Sequence, residues 1–242
     1  MGEQVAGSDQ GPVRVAGLRG RMFDSVAAIL FDFDGTLIQQ SIDFDFMRRV
    51  VLDIAGGYGV ATEPLVTMHV LELIDRATDE LMRTDGHRGR AFFQEAHRAV
   101  LDIELAAAED ARAFPGVPEM LRHLRRNGFR VGIVTRNCRA AVERVLGRHP
   151  MDHDALFARD DVEHLKPDPR HLLAALEVLG VAGEQALMCG DHPMDVLAGR
   201  RIGARTVGVL PPGLTSERFA QAVPDLILTQ VTDLVSYLGT AR

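Results

Sequence analysis

Asp32 and Asp34 stand two positions apart at the end of the apolar run Val26-Ala27-Ala28-Ile29-Leu30-Phe31, and Gly35 and Thr36 follow at once. Six apolar residues bounded by turn chemistry read as a buried parallel strand. The carboxyl end of such a strand is where open α/β sheets bind ligands. A carboxylate held there unpaired is costly, so it must meet a cation or take part in chemistry. Gly35 and Thr36 turn the chain sharply and offer backbone N–H groups and a hydroxyl to an anion. One carboxylate to attack, one to move a proton and a metal ion between them would suit phosphoryl transfer through an aspartyl-phosphate.

Three later segments carry matching chemistry in a fixed order. Val131-Gly132-Ile133-Val134 runs into Thr135-Arg136-Asn137, a second strand ending in a hydroxyl. Lys166-Pro167-Asp168-Pro169 supplies an ammonium. Leu187-Met188-Cys189-Gly190 runs into Asp191-His192-Pro193-Met194-Asp195, a third strand ending in two acids. Lys166 is the only lysine among 27 Lys and Arg residues, so arginine does every other cationic job. A compact ammonium with three rotatable donors fits between a nucleophilic carboxylate and a phosphoryl oxygen where a planar guanidinium does not.

These four segments resemble the motifs of the haloacid dehalogenase-like (HAD) hydrolases, whose first motif is Asp-x-Asp-Gly-Thr, and the resemblance runs from residue 26 to residue 210. It implies a doubly wound parallel sheet, a Rossmann-like α/β core, with an inserted helical cap. It also implies Mg²⁺ as cofactor, with the Asp32 carboxylate, the Asp34 backbone carbonyl and the Asp191 carboxylate as ligands. Asp32 would be the nucleophile. Asp34 would be the general acid and base, and its presence separates phosphotransferases from the family's dehalogenases, because a halide leaves without a proton. Thr135 and the N–H groups after it would bind the non-bridging phosphoryl oxygens, and Lys166 would neutralise Asp32. Asp195 would stand behind the ligands, steering Lys166 or a metal-bound water.

Gly35, Thr36, Arg136 and Asn137 are candidate substrate contacts, with an exposed ion pair as the alternative for Arg136 and a helix cap as the alternative for Asn137. The likeness is closest to phosphoglycolate phosphatase-like enzymes, with two departures. Leu37-Ile38-Gln39-Gln40-Ser41 replaces the common Leu-x-Asp-Ser, and Thr135-Arg136-Asn137 replaces the common Thr-Asn-Lys. Both lie where core and cap meet, so they bear on the substrate and leave the chemistry intact. The expected activity is hydrolysis of a small phosphorylated metabolite, specifically a phosphomonoester. A phosphomutase of the β-phosphoglucomutase type shares the same motifs, and a non-catalytic binding module is the reading from another class.

About a hundred residues separate the first two motifs, far more than a crossover needs. Phe44, Met47, Val50 and Val51 share one helical face; Val66, Val70, Leu73, Ile74 and Leu81 a second; Phe92, Phe93, Ala96, Val100 and Leu101 a third. Gly56-Gly57-Tyr58-Gly59 and Asp85-Gly86-His87-Arg88-Gly89 are expected to break these helices. Residues 39–110 therefore read as a helical cap, residues 25–38 and 111–242 as the core, and residues 1–24 as a loosely ordered leader. The glycine-rich break at 56–59 is expected to face the core site, with Tyr58 as its substrate contact. Beyond the cap, strand 130–134, helix 138–147, helix 168–179, strand 186–189, helix 194–202, strand 205–210 and strand 225–228 alternate before a terminal helix.

A net charge of −7 argues against broad nucleic-acid binding and against a polybasic membrane patch. Residues 1–24 lack an apolar core of signal-peptide length, no run reaches the length of a membrane span, and two cysteines make no disulfide framework. A reduced, cytoplasmic protein is the expectation, with Cys138 and Cys189 structural. No feature of the chain sets an oligomeric state.

Overall fold

The structure, a computed structural model, describes residues 22–39, 42–210 and 213–239. In chain order its strands are β1 (Ala28–Phe31), β2 (Ile38–Gln39), β3 (Arg112–Ala113), β4 (Arg130–Val134), β5 (Ala155–Phe157), β6 (Ala186–Gly190), β7 (Arg205–Val209) and β8 (Leu226–Leu228). Its α-helices are α1 (Phe44–Gly57), α2 (Val70–Thr84), α3 (Gly86–Asp110), α4 (Val117–Arg126), α5 (Arg139–Arg148), α6 (Pro169–Leu179) and α7 (Pro193–Arg201).

Six strands form one parallel sheet in the order β5-β4-β1-β6-β7-β8. The chain winds outward from β1 on one side and then from β6 on the other, so the switch in strand order falls at the centre, where such sheets bind ligands. Register does the rest. Phe31 pairs with Ile133 on one side and Cys189 on the other. The residues just beyond those strands, Asp32, Thr135 and Asp191, therefore emerge together on one edge.

Alternation along β1 divides the core into two layers. Ile29 and Phe31 pack with Val131, Ile133, Leu121 of α4 and Val142 of α5. Ala28 and Leu30 pack on the opposite face with Leu172 and Leu176 of α6 and Ala198 of α7. A strand buried on both faces explains why its sequence is uniformly apolar.

The insert has its own apolar cluster, in which Met47 and Val51 of α1, Leu73 and Ile74 of α2, and Phe92 and Val100 of α3 meet. The antiparallel pair β2–β3 joins its two ends, with Ile38 opposite Ala113 and Gln39 opposite Arg112. Helix α3 spans both clusters, since its last turns place Ala108 in the core.

Several expectations are corrected. Phe44, Val66 and Phe93 are exposed at 43%, 50% and 41% and lie off the packed faces. The break expected over 85–89 is present between α2 and α3, but it is made by the first residue of that segment and not by its glycines. The break is Asp85, whose carboxylate accepts the N–H groups of His87 and Arg88 and starts α3. Gly89 then lets α2 approach closely, since a Cβ there would sit 2.6 Å from Met82. The terminal helix is a 3₁₀ segment, Val231–Tyr237. Of the leader expected over 1–24, residues 1–21 lie outside the described residues, and Phe23 is buried in the core.

Candidate active site

Asp32 continues from β1, and its N–H donates to the Cys189 carbonyl of the neighbouring strand at 2.8 Å. Lys166 arrives from the loop before α6 and is 2% exposed. Its Nζ donates to Asp32 Oδ1 at 2.7 Å and to the Val134 carbonyl at 2.6 Å, and pairs with Asp195 Oδ1 at 2.8 Å. All three ammonium donors are therefore used. Burial works against the Lys166 charge, but Asp195 and Asp32 outweigh it and hold its pKa above the ordinary value.

Burial raises the pKa of Asp32 to about 6, against the opposing pull of Lys166. Asp34 is pushed up to about 7 by burial and then by the charge of Asp32. Asp191 is pushed up to about 8 by burial, then by Asp32 and Asp195. Carboxylate oxygens of Asp32, Asp191 and Asp195 lie within 4.8 Å of one another. The Lys166 ammonium and the Arg218 guanidinium, 3.4 Å from Asp191, do not neutralise three such acids, and an all-oxygen donor set suits a hard divalent cation such as Mg²⁺. Asp195 is already committed, to Lys166 and through Oδ2 to the N–H of His192 at 3.1 Å, leaving Asp32 and Asp191 as the freer carboxylates. The donor set thus fits the implied cofactor. The Asp34 side chain is not part of this cluster.

Asp34 instead faces the end of β4. Asn137 Nδ2 donates to its two carboxylate oxygens at 3.3 and 3.2 Å, and the Thr135 hydroxyl donates to Oδ2 at 3.4 Å. Asn137 does not cap α5. Its Oδ1 accepts the N–H of Cys138 at 2.8 Å, and the N-cap is Cys138, whose Sγ accepts from Ala141. Cys138 and Cys189 are both buried free thiols; burial, then Glu104, pushes Cys138 up to about 12.

The expected anion cradle at Gly35 and Thr36 is corrected. The Gly35 N–H donates to the Ile38 carbonyl at 2.9 Å and is spent on the turn. Gly35 has φ +78°, and a Cβ there would stand 2.6 Å from Asp191 Oδ2, so glycine is needed for close approach of the first and last motifs. Thr36 lines a separate cavity of about 280 Å³ beside Phe114, Val209 and Thr232.

The acid cluster opens into a cavity of about 340 Å³ between sheet edge and insert. Tyr58 does not line it. Its hydroxyl donates to Glu95 at 2.9 Å and its ring meets Phe92 edge-on at 5.6 Å, on the far end of α1. The opposite ends face the site: Phe44, Met47 and Arg48 from the start of α1, and His69, Val70 and Leu71 from the start of α2. The His69 ring meets that of His192 edge-on at 5.3 Å.

Arg136 does form an ion pair, half-buried rather than exposed. Its Nη2 donates to both oxygens of Glu72 at 2.8 Å, and its Nη1 to the Lys166 carbonyl at 3.1 Å. Arg159 makes a second clasp, to Glu104 of α3, with contacts of 2.5 and 2.8 Å. Arg218 binds the carbonyl of Asp191, and its Nη2 lies 3.4 Å from Asp191 Oδ2. Glu72, Glu104, Arg159 and Arg218 carry no motif signal, since each reaches the site from a different element.

The family model of the haloacid dehalogenase-like hydrolases matches residues 29–209. A pyrophosphatase PpaX from Anoxybacillus flavithermus is 31% identical over 227 residues, covering 89% of this chain and 98% of its own. One from Bacillus cereus strain AH820 is 38% identical over 223 residues, covering 88% and 97%. Among solved structures, a HAD phosphatase from Thermococcus onnurineus superposes with a TM-score of 0.61 at 24% identity, covering 90% of this chain and all of that one. A β-phosphoglucomutase from Clostridium difficile superposes with a TM-score of 0.61 at 18% identity, covering 86% and 93%. Among the described residues no helix is long and apolar enough to cross a membrane.

Proposed function

The chain belongs to the haloacid dehalogenase-like hydrolases, as a phosphatase, and on that basis we propose that it hydrolyses a small organic phosphomonoester with Mg²⁺ through an aspartyl-phosphate on Asp32. The observation that carries this reading is the pairing of two unlike acids. Asp32 is held beside Lys166, and Asp34, raised to about 7, is held by Asn137 and Thr135 where it can exchange a proton at neutral pH.

In the first step an Asp32 carboxylate oxygen attacks phosphorus, the ester P–O bond breaks, and Asp34 gives its proton to the leaving oxygen. In the second, Asp34 takes a proton from water, the resulting hydroxide attacks phosphorus, and the acyl-phosphate bond breaks. Inorganic phosphate leaves and the Asp32 carboxylate is restored. Lys166 keeps Asp32 anionic and offsets charge on the transferring group. Asp32, Asp191 and, as the family resemblance implies, the Asp34 carbonyl would hold Mg²⁺, which would supply neutralisation of the phosphoryl oxygens.

Pyrophosphate is the second reading, carried by the named activity of the PpaX relatives. The organic ester is supported by the apolar residues Ile42, Phe44, Met47 and Val70, which line the insert side of the cavity beside Arg48 and His69. The test is phosphate release from a panel of phosphomonoesters and pyrophosphate, with Mg²⁺ or with a chelator. Chelator-sensitive release led by organic esters is expected. Pyrophosphate turned over at least about tenfold better than every ester would replace this reading with the second. A sugar phosphate isomerised without phosphate release would mean a mutase, and no turnover of any kind a binding module.

A further inference from the structure

Three of the four arginines that line the cavity are already paired with acids of the insert, and the fourth, Arg218, lies beside Asp191 of the core. Arg136 presents Nη2 to both oxygens of Glu72 at 2.8 Å. Arg159 is held by Glu104, and Arg48 by Asp45 at 2.6 Å. The wall between these pairs is mostly apolar, built from Ile42, Phe44, Met47, Val70, Leu71 and Val100, with the His69 ring among them. A charge-assisted pair is among the stronger polar contacts a protein makes. A leaving group bearing its own anion would have to displace one of these carboxylates or stand beside it unpaired. Of the pairs, Arg136–Glu72 sets a cavity-lining arginine beside the phosphoryl site, with Glu72 holding it from outside the lining. Arg136 follows the phosphate-facing Thr135, its side chain is 16% exposed, and Glu72 is 40% exposed. The pair with Glu104 is buried on both sides, at 10% and 5%.

We infer that Glu72 is a specificity-determining residue: by occupying Nη2 of Arg136, whose Nη1 is already given to the Lys166 carbonyl, it reserves the leaving-group side for an uncharged, partly apolar organic group. Leaving groups carrying a carboxylate or a second phosphate are turned away. Selection by an unfavourable element in the site is a general route to specificity. This assignment rests on the phosphomonoesterase reading and goes beyond it by naming the class of leaving group.

Glu72→Gln keeps the side-chain shape and the helix while removing the charge that competes for Arg136. Its half-exposed position in the first turn of α2 makes misfolding an unimportant outcome, which a melting curve verifies. The readout is the ratio of kcat/KM for 2-phosphoglycolate, whose leaving group carries a carboxylate, to that for the uncharged-group ester glycerol 1-phosphate. Wild type should favour the glycerol ester. In Glu72→Gln the ratio should shift toward 2-phosphoglycolate by about tenfold or more, and in the double variant with Arg136→Gln the shift should vanish. A ratio unchanged within about threefold, an equal loss on both esters, or a wild type that already prefers 2-phosphoglycolate overturns the assignment. Calorimetric binding of phosphonoacetate against methylphosphonate, neither of which can be turned over as an ester, separates the two levels. Tighter phosphonoacetate binding in the variant, with no turnover of any ester by wild type, sinks the phosphatase reading and leaves Glu72 as the determinant. Turnover with no shift in either ratio sinks only the role of Glu72.

Discussion

Asp32 and Lys166 are the pair on which the chemistry turns, and each yields a prediction. Asp32→Asn removes the anionic nucleophile but little volume. Phosphate release should fall by at least about a thousandfold, roughly 4 kcal/mol of barrier. The metal-free melting temperature should hold or rise, because one of three mutually repelling acids is gone while Lys166 keeps Asp195 and the Val134 carbonyl. Activity within about tenfold of wild type would rule out the covalent route. Lys166→Arg reads as harmless in a chain that otherwise uses only arginine. The structure says otherwise, since Nζ is enclosed by three acceptors at 2.6–2.8 Å and the residue is 2% exposed. A broader guanidinium overfills that space at a cost of about 1–3 kcal/mol. Loss of activity should come with a lower melting temperature; an active variant of normal stability would contradict this. Asp32, Lys166, Asp191 and Asp195 were legible because acids and a lone ammonium at the ends of apolar strands are costly to bury unless they pair or react. The direction of Tyr58 was not, because the glycines around it signal a turn and say nothing of where the turn faces. The Glu72–Arg136 pair joins residues 64 apart, and no local spacing encodes it.

The elements follow from the same logic, and their errors are instructive. Five of the six sheet strands stood out because burial on both faces demands unbroken apolar runs, as Ala28–Phe31 and Ala186–Gly190 illustrate, whereas the edge strand β5, with one fully buried residue in three, gave no such run. Their ends agreed to within a residue or two. Helix boundaries in the insert were harder. Gly86 and Gly89 look like breakers, yet they lie in the first turn of α3, where Asp85 supplies the cap and Gly89 admits Met82. A glycine can mark a stop or a close contact, and only the partner decides. The turn after β1 is a place where that distinction can be tested. Gly35→Ala puts a side chain at φ +78° and directs its Cβ to within 2.6 Å of the Asp191 carboxylate. We expect a loss of about 1–3 kcal/mol in stability together with weaker Mg²⁺ binding, because Asp191 must move. Thermal melting and a Mg²⁺ titration by calorimetry check both. A variant that melts normally and binds Mg²⁺ as wild type does would mean that the turn has room the geometry denies it.

Across the whole molecule, separate apolar clusters and a two-stranded joint support treating residues 39–110 as a cap on the core. Clasps such as Arg159–Glu104 and Arg136–Glu72 tie its inner surface to the sheet edge. The acids gathered beneath that surface set the last prediction, a pH dependence of stability that Mg²⁺ should abolish. Asp34 and Asp191 are raised to about 7 and about 8, mainly by burial, so the folded protein holds protons that the unfolded chain has already released. Stability falls with rising pH wherever the folded state binds more protons. His171 and His192 act in the opposite sense, since burial lowers them to about 3 and about 4 and their contribution grows until ordinary histidine is neutral. The two effects oppose one another below about pH 6.5, the unperturbed histidine value. Above it the histidines are neutral in both states and the acids act, joined toward pH 8.5 and in the same sense by the thiols of Cys138 and Cys189, which burial keeps protonated. Lys166, held above its ordinary value, loses its contribution only at far higher pH and does not interfere. The metal-free protein should therefore lose melting temperature between about pH 6.5 and about pH 8.5. Mg²⁺ binds the ionised acids and the folded state alone, so the stabilisation it gives should be larger at the alkaline end. Melting curves at both pH values, with chelator and with excess Mg²⁺, decide the matter. A metal-free melting temperature that rises over this interval, or a Mg²⁺ increment equal at both ends, would mean that the acid cluster is already neutralised by the protein itself.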